Sequence, residues 1–375
     1  MTDLPARMFV EFPEISTRAW EHPSDRAALT TLRSLKGFDT ILKTLSALLR
    51  ERQHRLLYLG SAIRVDERQF PTLHGLRADC VRTLDSPTVP EMFVAQDPQP
   101  NAFTIGMDTP FIVLTSGLLD LLNVEELRFV VGHELGHAMS GHAVYRTMLM
   151  HLMRLAASFG WMPIGGWALR AVVAALLEWQ RKSELSGDRA GLLCVQDPDV
   201  ALRSHMKMAG GTRLDEMDTQ RFLAQAADYE RTGDLRDGVL KLLNLELQTH
   251  PFAVLRAADL NRWVERGAYG AILGGTYPRR GDDAGADIGD DVRDAARSYR
   301  TDFDASGDPL VSTLRDMGNA VGSVAGAAAD GVTDLGRRFG QWARGGGSGG
   351  RGDSGSRDSG TGDSGSADHD GDEPA

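Results

Sequence analysis

His133-Glu134-Leu135-Gly136-His137 puts two imidazoles and a carboxylate within five residues. On an α-helix, positions four apart differ by only about 40° in direction. Both rings can therefore turn a nitrogen to one divalent ion at about 2.0–2.1 Å, the reach of zinc. Glu134 is too close in sequence to His133 to be an easy third ligand, but its carboxylate can take a proton from a water activated by that ion. The plain alternative is an amphipathic helix with two surface histidines. The flanks oppose it. Asn123 with Glu126 makes a capping box, and Val124, Leu127, Val130, Val131, Leu135 and Ala138 recur at helical spacing, so Asn123 to Ser140 reads as one buried helix. Buried imidazoles need partners, and one metal ion satisfies both.

A catalytic zinc site needs a third protein ligand and keeps a fourth position for water. Glu184 lies 47 positions after His137, in a stretch with helical periodicity from Val172 to Leu193, and Asp188 follows one turn later. Glu184 can ligate the metal while Asp188 bonds the far nitrogen of a ligand histidine and fixes its tautomer. Arg181, Lys182 and Arg189 surround these acids, so a solvated face with i,i+4 ion pairs is the competing reading. A purely structural zinc site fits poorly, because such sites are closed by four ligands, mostly cysteines, and none is placed to serve.

The combination His133-Glu134-x-x-His137 with Glu184-x-x-x-Asp188 resembles the membrane-associated gluzincin metallopeptidases, which include the HtpX heat-shock proteases and the CAAX prenyl-protein endopeptidases. Thr249-His250-Pro251 with Arg256 six positions after the histidine is similar to that family's His-Pro-(x)4-Arg segment. The resemblance spans about residues 30–265. It implies that His250 stabilises the oxyanion of the tetrahedral intermediate, that Arg256 orders the site through acidic neighbours, and that the strand at Asn101, Ala102 and Phe103 takes a peptide on its edge. Without the resemblance, His250 reads as a helix-start residue before a proline, and the strand as an ordinary sheet edge. The multi-span chamber of the CAAX endopeptidases has no counterpart, which disfavours a prenyl-protein substrate.

Around these residues the expected fold is α+β and mostly helical: a zincin-type metallopeptidase with a small antiparallel sheet beside the zinc-binding helix. Short strands are read at Ala62 to Val65 and Met92 to Gln96, and a hairpin pair at Asn101 to Gly106 and Phe111 to Thr115. The apolar stretch 147–179 contains Arg154, Arg170, Gly160, Pro163, Gly165 and Gly166. It therefore falls short of the about 20 continuous apolar residues a spanning helix needs. It reads as a helical hairpin joined at Met162 to Gly166, packing on the core with peripheral membrane contact as a further role. Met1 to Ser24 lacks the apolar core of a signal peptide, so the expected location is cytoplasmic, with any membrane contact at the inner face.

The 375 residues are 42% hydrophobic, enough for one large core. Cys80 and Cys194 are too few for a disulfide framework. A net charge of −11 without a basic cluster argues against a nucleic-acid partner. A metallopeptidase domain is expected over 1–275, an acidic linker over 276–309, a weak amphipathic helix for an unknown partner over 310–342, and a disordered Gly/Ser/Asp tail over 343–375. The function expected is zinc-dependent endoproteolysis by metal-activated water, with one Zn²⁺ held by His133, His137 and Glu184, protein or peptide substrates, and a role in protein quality control. The alternative is a catalytically silent, chaperone-like or scaffolding protein that binds apolar clients through the Met148, Met150 and Met153 surface.

Overall fold

The structure, a computed structural model, describes residues 9–34, 51–159, 166–231 and 252–285. His250, residues 160–165 at the turn of the apolar hairpin, and the segments 310–342 and 343–375 lie outside the described residues.

Four strands form one sheet: β1 (Ile63–Arg64), β2 (Met92–Ala95), β3 (Ala102–Ile105) and β4 (Phe111–Thr115), in the order β1-β2-β4-β3. The sheet is mixed, which corrects the antiparallel expectation: β1 with β2 and β3 with β4 are antiparallel, but β2 and β4 run parallel. After β2 the chain crosses to the far edge as β3, then turns back to lay β4 in the gap. Local spacing predicts the tight β3–β4 hairpin, whereas the direction of β2 against β4 depends on a connection that skips a strand. Gly106 permits the hairpin turn, with φ +124° and no room for a Cβ, which would stand 2.9 Å from Pro110 Cα.

The helices among the described residues are α1 (Pro23–Ser34), α2 (Glu51–Ser61), α3 (Pro71–Thr83), α4 (Ser116–Leu121), α5 (Val124–Met139), α6 (His142–Phe159), α7 (Gly166–Val195), α8 (Pro198–Gly210), α9 (Thr219–Arg231), α10 (Ala253–Glu265) and α11 (Ala268–Leu273). The start of α5 is set by its capping box: Asn123 Oδ1 accepts from Glu126 N at 3.0 Å, and Glu126 Oε2 accepts from Asn123 N at 2.8 Å. Leu127, Phe129, Val131 and Leu135 sink into the main core with Leu192, Leu193 and Val195 of α7. Small residues let these two helices approach closely. A Cβ on Gly136 would fall 2.4 Å from Ala190 Cβ, and one on Gly132 would fall 2.6 Å from Cys194 Cβ.

The apolar hairpin appears as α6 ending at Phe159 and α7 starting at Gly166. Met148, Leu149 and Leu152 of α6 are buried against Leu176, Leu177 and Trp179 of α7 and Ala28 of α1, with Met153 packed alongside. Packing on the core is therefore what Met148 does, and this removes much of the methionine surface a client-binding protein would use. Among the described residues no helix is long and apolar enough to cross a membrane.

Arg279 bridges to Ile15, Arg280 N donates to Glu14 O at 2.8 Å, and Ser16 Oγ donates to Asp283 Oδ1 at 2.7 Å. These contacts tie residues 277–283 to the N-terminal segment.

Candidate metal centre

The α5–α7 seam sets the site. Gly187 of α7 lies directly over His133, and a Cβ there would meet the imidazole Cε1 at 2.6 Å. This close approach brings Glu184, one turn earlier on α7, opposite both imidazoles. His133 Nε2 and His137 Nε2 are 3.0 Å apart, and the Glu184 carboxylate lies 3.5 Å from each. All three side chains are buried. Four ligands placed tetrahedrally about 2.0–2.1 Å from zinc are about 3.3–3.4 Å from one another, and one ligand atom from each of the three side chains lies within 4.8 Å of the others. Two imidazole nitrogens and a carboxylate oxygen are also the donors a catalytic zinc takes.

Each imidazole is backed from behind. His133 Nδ1 is 3.1 Å from Asp188 Oδ1, and His137 Nδ1 is 2.9 Å from His142 Nδ1. Arg256 of α10 joins both acids of α7: its Nε donates to Asp188 Oδ2 at 2.8 Å, and its Nη1 lies 3.1 Å from Glu184 Oε2. Arg146 of α6 approaches Glu184 Oε1 at 3.5 Å. Burial alone would push the Asp188 carboxyl up, but the Arg256 guanidinium beside it holds it far below the usual carboxylate range. Burial likewise pulls His133 down, yet the bonds to Asp188 and Glu184 outweigh it and hold His133 at about 9. His137 is pushed well below its ordinary value, by burial first and then by the neighbouring charges of His133 and Arg146.

Glu134 is buried beside this trio, its Oε1 3.9 Å from His133 Nε2. The hydroxyl of Thr104 on β3 is 2.7 Å from Glu134 Oε2. Ala102 of β3 and Phe129, Val130, Met208, Tyr229 and Phe252 line a cavity of about 350 Å³ that His133 and Glu134 close on one side. Asn101 pairs with Thr115 through N–H to Oγ1 at 2.8 Å, and Phe103 turns to the opposite face, onto Tyr58. Of the Asn101–Phe103 stretch, Ala102 lines the cavity.

The chain matches the model of Peptidase family M48 over residues 67–264. A plastoglobule-localized metallopeptidase 48 of Arabidopsis thaliana is 32% identical over 271 residues, covering 70% of this chain and 77% of the relative. The chain belongs to the M48 peptidases. Protease HtpX homologs are also similar over shorter spans. That of Lactobacillus acidophilus is 37% identical over 84 residues, 22% of this chain and 28% of the relative. That of Caldanaerobacter subterraneus is 33% identical over 90 residues, 24% and 30% respectively. No solved structure matches the chain. Membership makes this M48 peptidase a metalloprotease, a hydrolase acting on proteins or peptides.

Several residues of the M48 site escaped the sequence reading. Thr104 and Arg146 carry no motif, and their contacts with Glu134 and Glu184 exist only in the folded chain. His142, five positions after His137, was the one signal available. His205 of α8 is buried beside Asp188, its Nε2 3.6 Å from Asp188 Oδ1, and nothing local in the sequence marks it.

Proposed function

We propose that this protease is a zinc-dependent endopeptidase in which His133, His137 and Glu184 hold one zinc ion and Glu134 moves the proton. The observation that carries the reading is the convergence of three buried side chains, the two imidazole Nε2 atoms 3.0 Å apart and each 3.5 Å from one oxygen of the Glu184 carboxylate. Zinc, when bound, supplies Lewis acidity and brings the pKa of a coordinated water from about 15.7 towards about 7. Glu134 takes the proton of the attacking water and returns it to the leaving amine. The Thr104 hydroxyl holds one oxygen of that carboxylate at 2.7 Å and so aims the other. Asp188 keeps the His133 ring turned to the site, and Arg256 spans Asp188 and Glu184 so that neither buried acid lacks a counter-charge.

The substrate main chain would pair with the Asn101–Phe103 edge, giving loose sequence preference, and His250 would donate to the carbonyl oxygen. We place the protein in the cytoplasm, working on unfolded or damaged proteins, with membrane contact limited to the 147–179 hairpin. The relative from Arabidopsis is named for a plastoglobule.

Metal analysis with casein digestion tests the catalytic reading. Parent and Glu134→Gln proteins are expected to carry one zinc each, and only the parent to digest. A Glu134→Gln protein as active as the parent would remove Glu134 from its role.

A further inference from the structure

We infer that Asp25, from the N-terminal helix α1, is a positioning residue for His137, acting through the ring of His142. The inference rests on the reading of His137 as a metal ligand, and it extends the site to a residue outside the 67–264 stretch that matches the family.

The contacts form one chain. His137 Nδ1 is 2.9 Å from His142 Nδ1, and His142 Nε2 is 3.1 Å from Asp25 Oδ2. The remaining partners of Asp25 fix the direction of the bonds to its carboxylate. Ser186 Oγ donates to Oδ2 at 2.6 Å and Trp179 Nε1 donates to Oδ1 at 2.9 Å. Surrounded by donors, the carboxylate only accepts, so the proton between it and His142 sits on Nε2. With His142 neutral and its proton on Nε2, its Nδ1 lone pair accepts from His137 Nδ1–H across the 2.9 Å contact. That assignment leaves the His137 Nε2 lone pair facing His133 Nε2 and Glu184. Asp188 does the same directly for His133, so each imidazole has a carboxylate behind it, one adjacent and one a ring away. Such partners orient a ligand and raise its basicity, and losing one typically costs 10–100-fold in metal affinity.

Water does not compete along this chain, since Asp25, His142 and His137 are all buried. The rings are held in place as well. His142 packs edge-on against Trp179 with centroids 5.5 Å apart, and Ala28 anchors α1 in the cluster formed by α6 and α7. His22 N donates to Ser186 Oγ at 2.9 Å and pins the entry to α1. The N-terminal arm thereby supplies a charge to a site whose ligands come from α5 and α7.

The test is zinc affinity of the full chain, measured by competition with a chromogenic chelator, with circular dichroism of each metal-free protein to check the fold. Asp25→Ala and His142→Ala are each expected to bind zinc about 10–100-fold more weakly. The double variant should be no weaker than His142→Ala, because Asp25 acts only through that ring. His142→Asn returns an amide oxygen near the place of Nδ1 and should recover part of the loss. Should Asp25→Ala not fold, Asp25→Asn is read in the same titration, with a severalfold loss expected from the missing charge. Unchanged affinity in the Asp25 variants, or a double variant whose loss is the product of the two single losses, overturns the inference while leaving zinc binding intact. A parent protein that takes up no zinc would sink the metal reading itself and this inference with it.

Discussion

The hydroxyl of Thr104 lies 2.7 Å from Glu134 Oε2, and 2.9 Å from the main-chain oxygen of the same residue. The edge strand of the sheet thus grips α5 at the carboxylate proposed to move the proton. Thr104→Val keeps the shape and removes the donor. A hydrogen bond to a charged group contributes about 1.5–3 kcal/mol, and with part of that realised in positioning, kcat on a peptide substrate should fall about tenfold. Zinc content should stay at the parental level. Parental kcat in the Thr104→Val protein would show that the bond does not aim Glu134.

Gly187 makes room for His133. A Cβ at this position would stand 2.6 Å from Cε1 and 2.8 Å from Nδ1 of the ring, and the ring cannot yield while Asp188 holds it. Gly187→Ala should therefore displace His133 from Glu184, weakening zinc binding at least tenfold and lowering stability by about 1–3 kcal/mol through overpacking. Chelator competition and urea denaturation report the two effects separately.

Arg256 is the buried cation between two buried acids, with its Nη1 3.1 Å from Glu184 and its Nε 2.8 Å from Asp188. Arg256→Ala removes the cation the two carboxylates share, leaving Arg146 beside Glu184 and His133 beside Asp188, and should cost about 3–5 kcal/mol of stability. The replacement Arg256→Lys should recover only part, because a single ammonium cannot span the fork. Denaturation midpoints of the three proteins measure this, and an Arg256→Ala protein as stable as the parent would refute it.

His205 gives the protein a definite acid response. Burial pulls it from about 6.5 down to about 4, more than the neighbouring Asp188 charge raises it. The folded chain therefore binds fewer protons at this residue than the unfolded chain between those values, so its contribution is complete above about pH 6.5 and is lost as pH falls towards 4. From pH 7.5 to 4.5 the parent should lose about 2–3 kcal/mol relative to His205→Leu. Urea denaturation of both proteins at the two pH values checks it, and parallel losses would remove His205 from the response.

What was legible in the sequence is what neighbours along the chain decide. The five-residue spacing of His133, Glu134 and His137 matches one helical turn, and Asn123 with Glu126 closes the capping box that starts that helix. The strands at Met92, Ala102 and Phe111 follow from short apolar, β-favouring runs. Contacts between distant segments were not legible. The parallel pairing of β2 with β4, the approach of Glu184 to two imidazoles across a seam of glycines and alanine, the bond from Thr104 to Glu134, and the reach of Asp25 to His142 each join elements that no local rule brings together. Periodicity and capping act within one or two turns of chain, whereas a metal centre needs donor atoms set within ångströms of one another. That precision comes from the packing of whole helices, where the absence of a single Cβ at Gly187 or Gly136 sets how closely two axes approach.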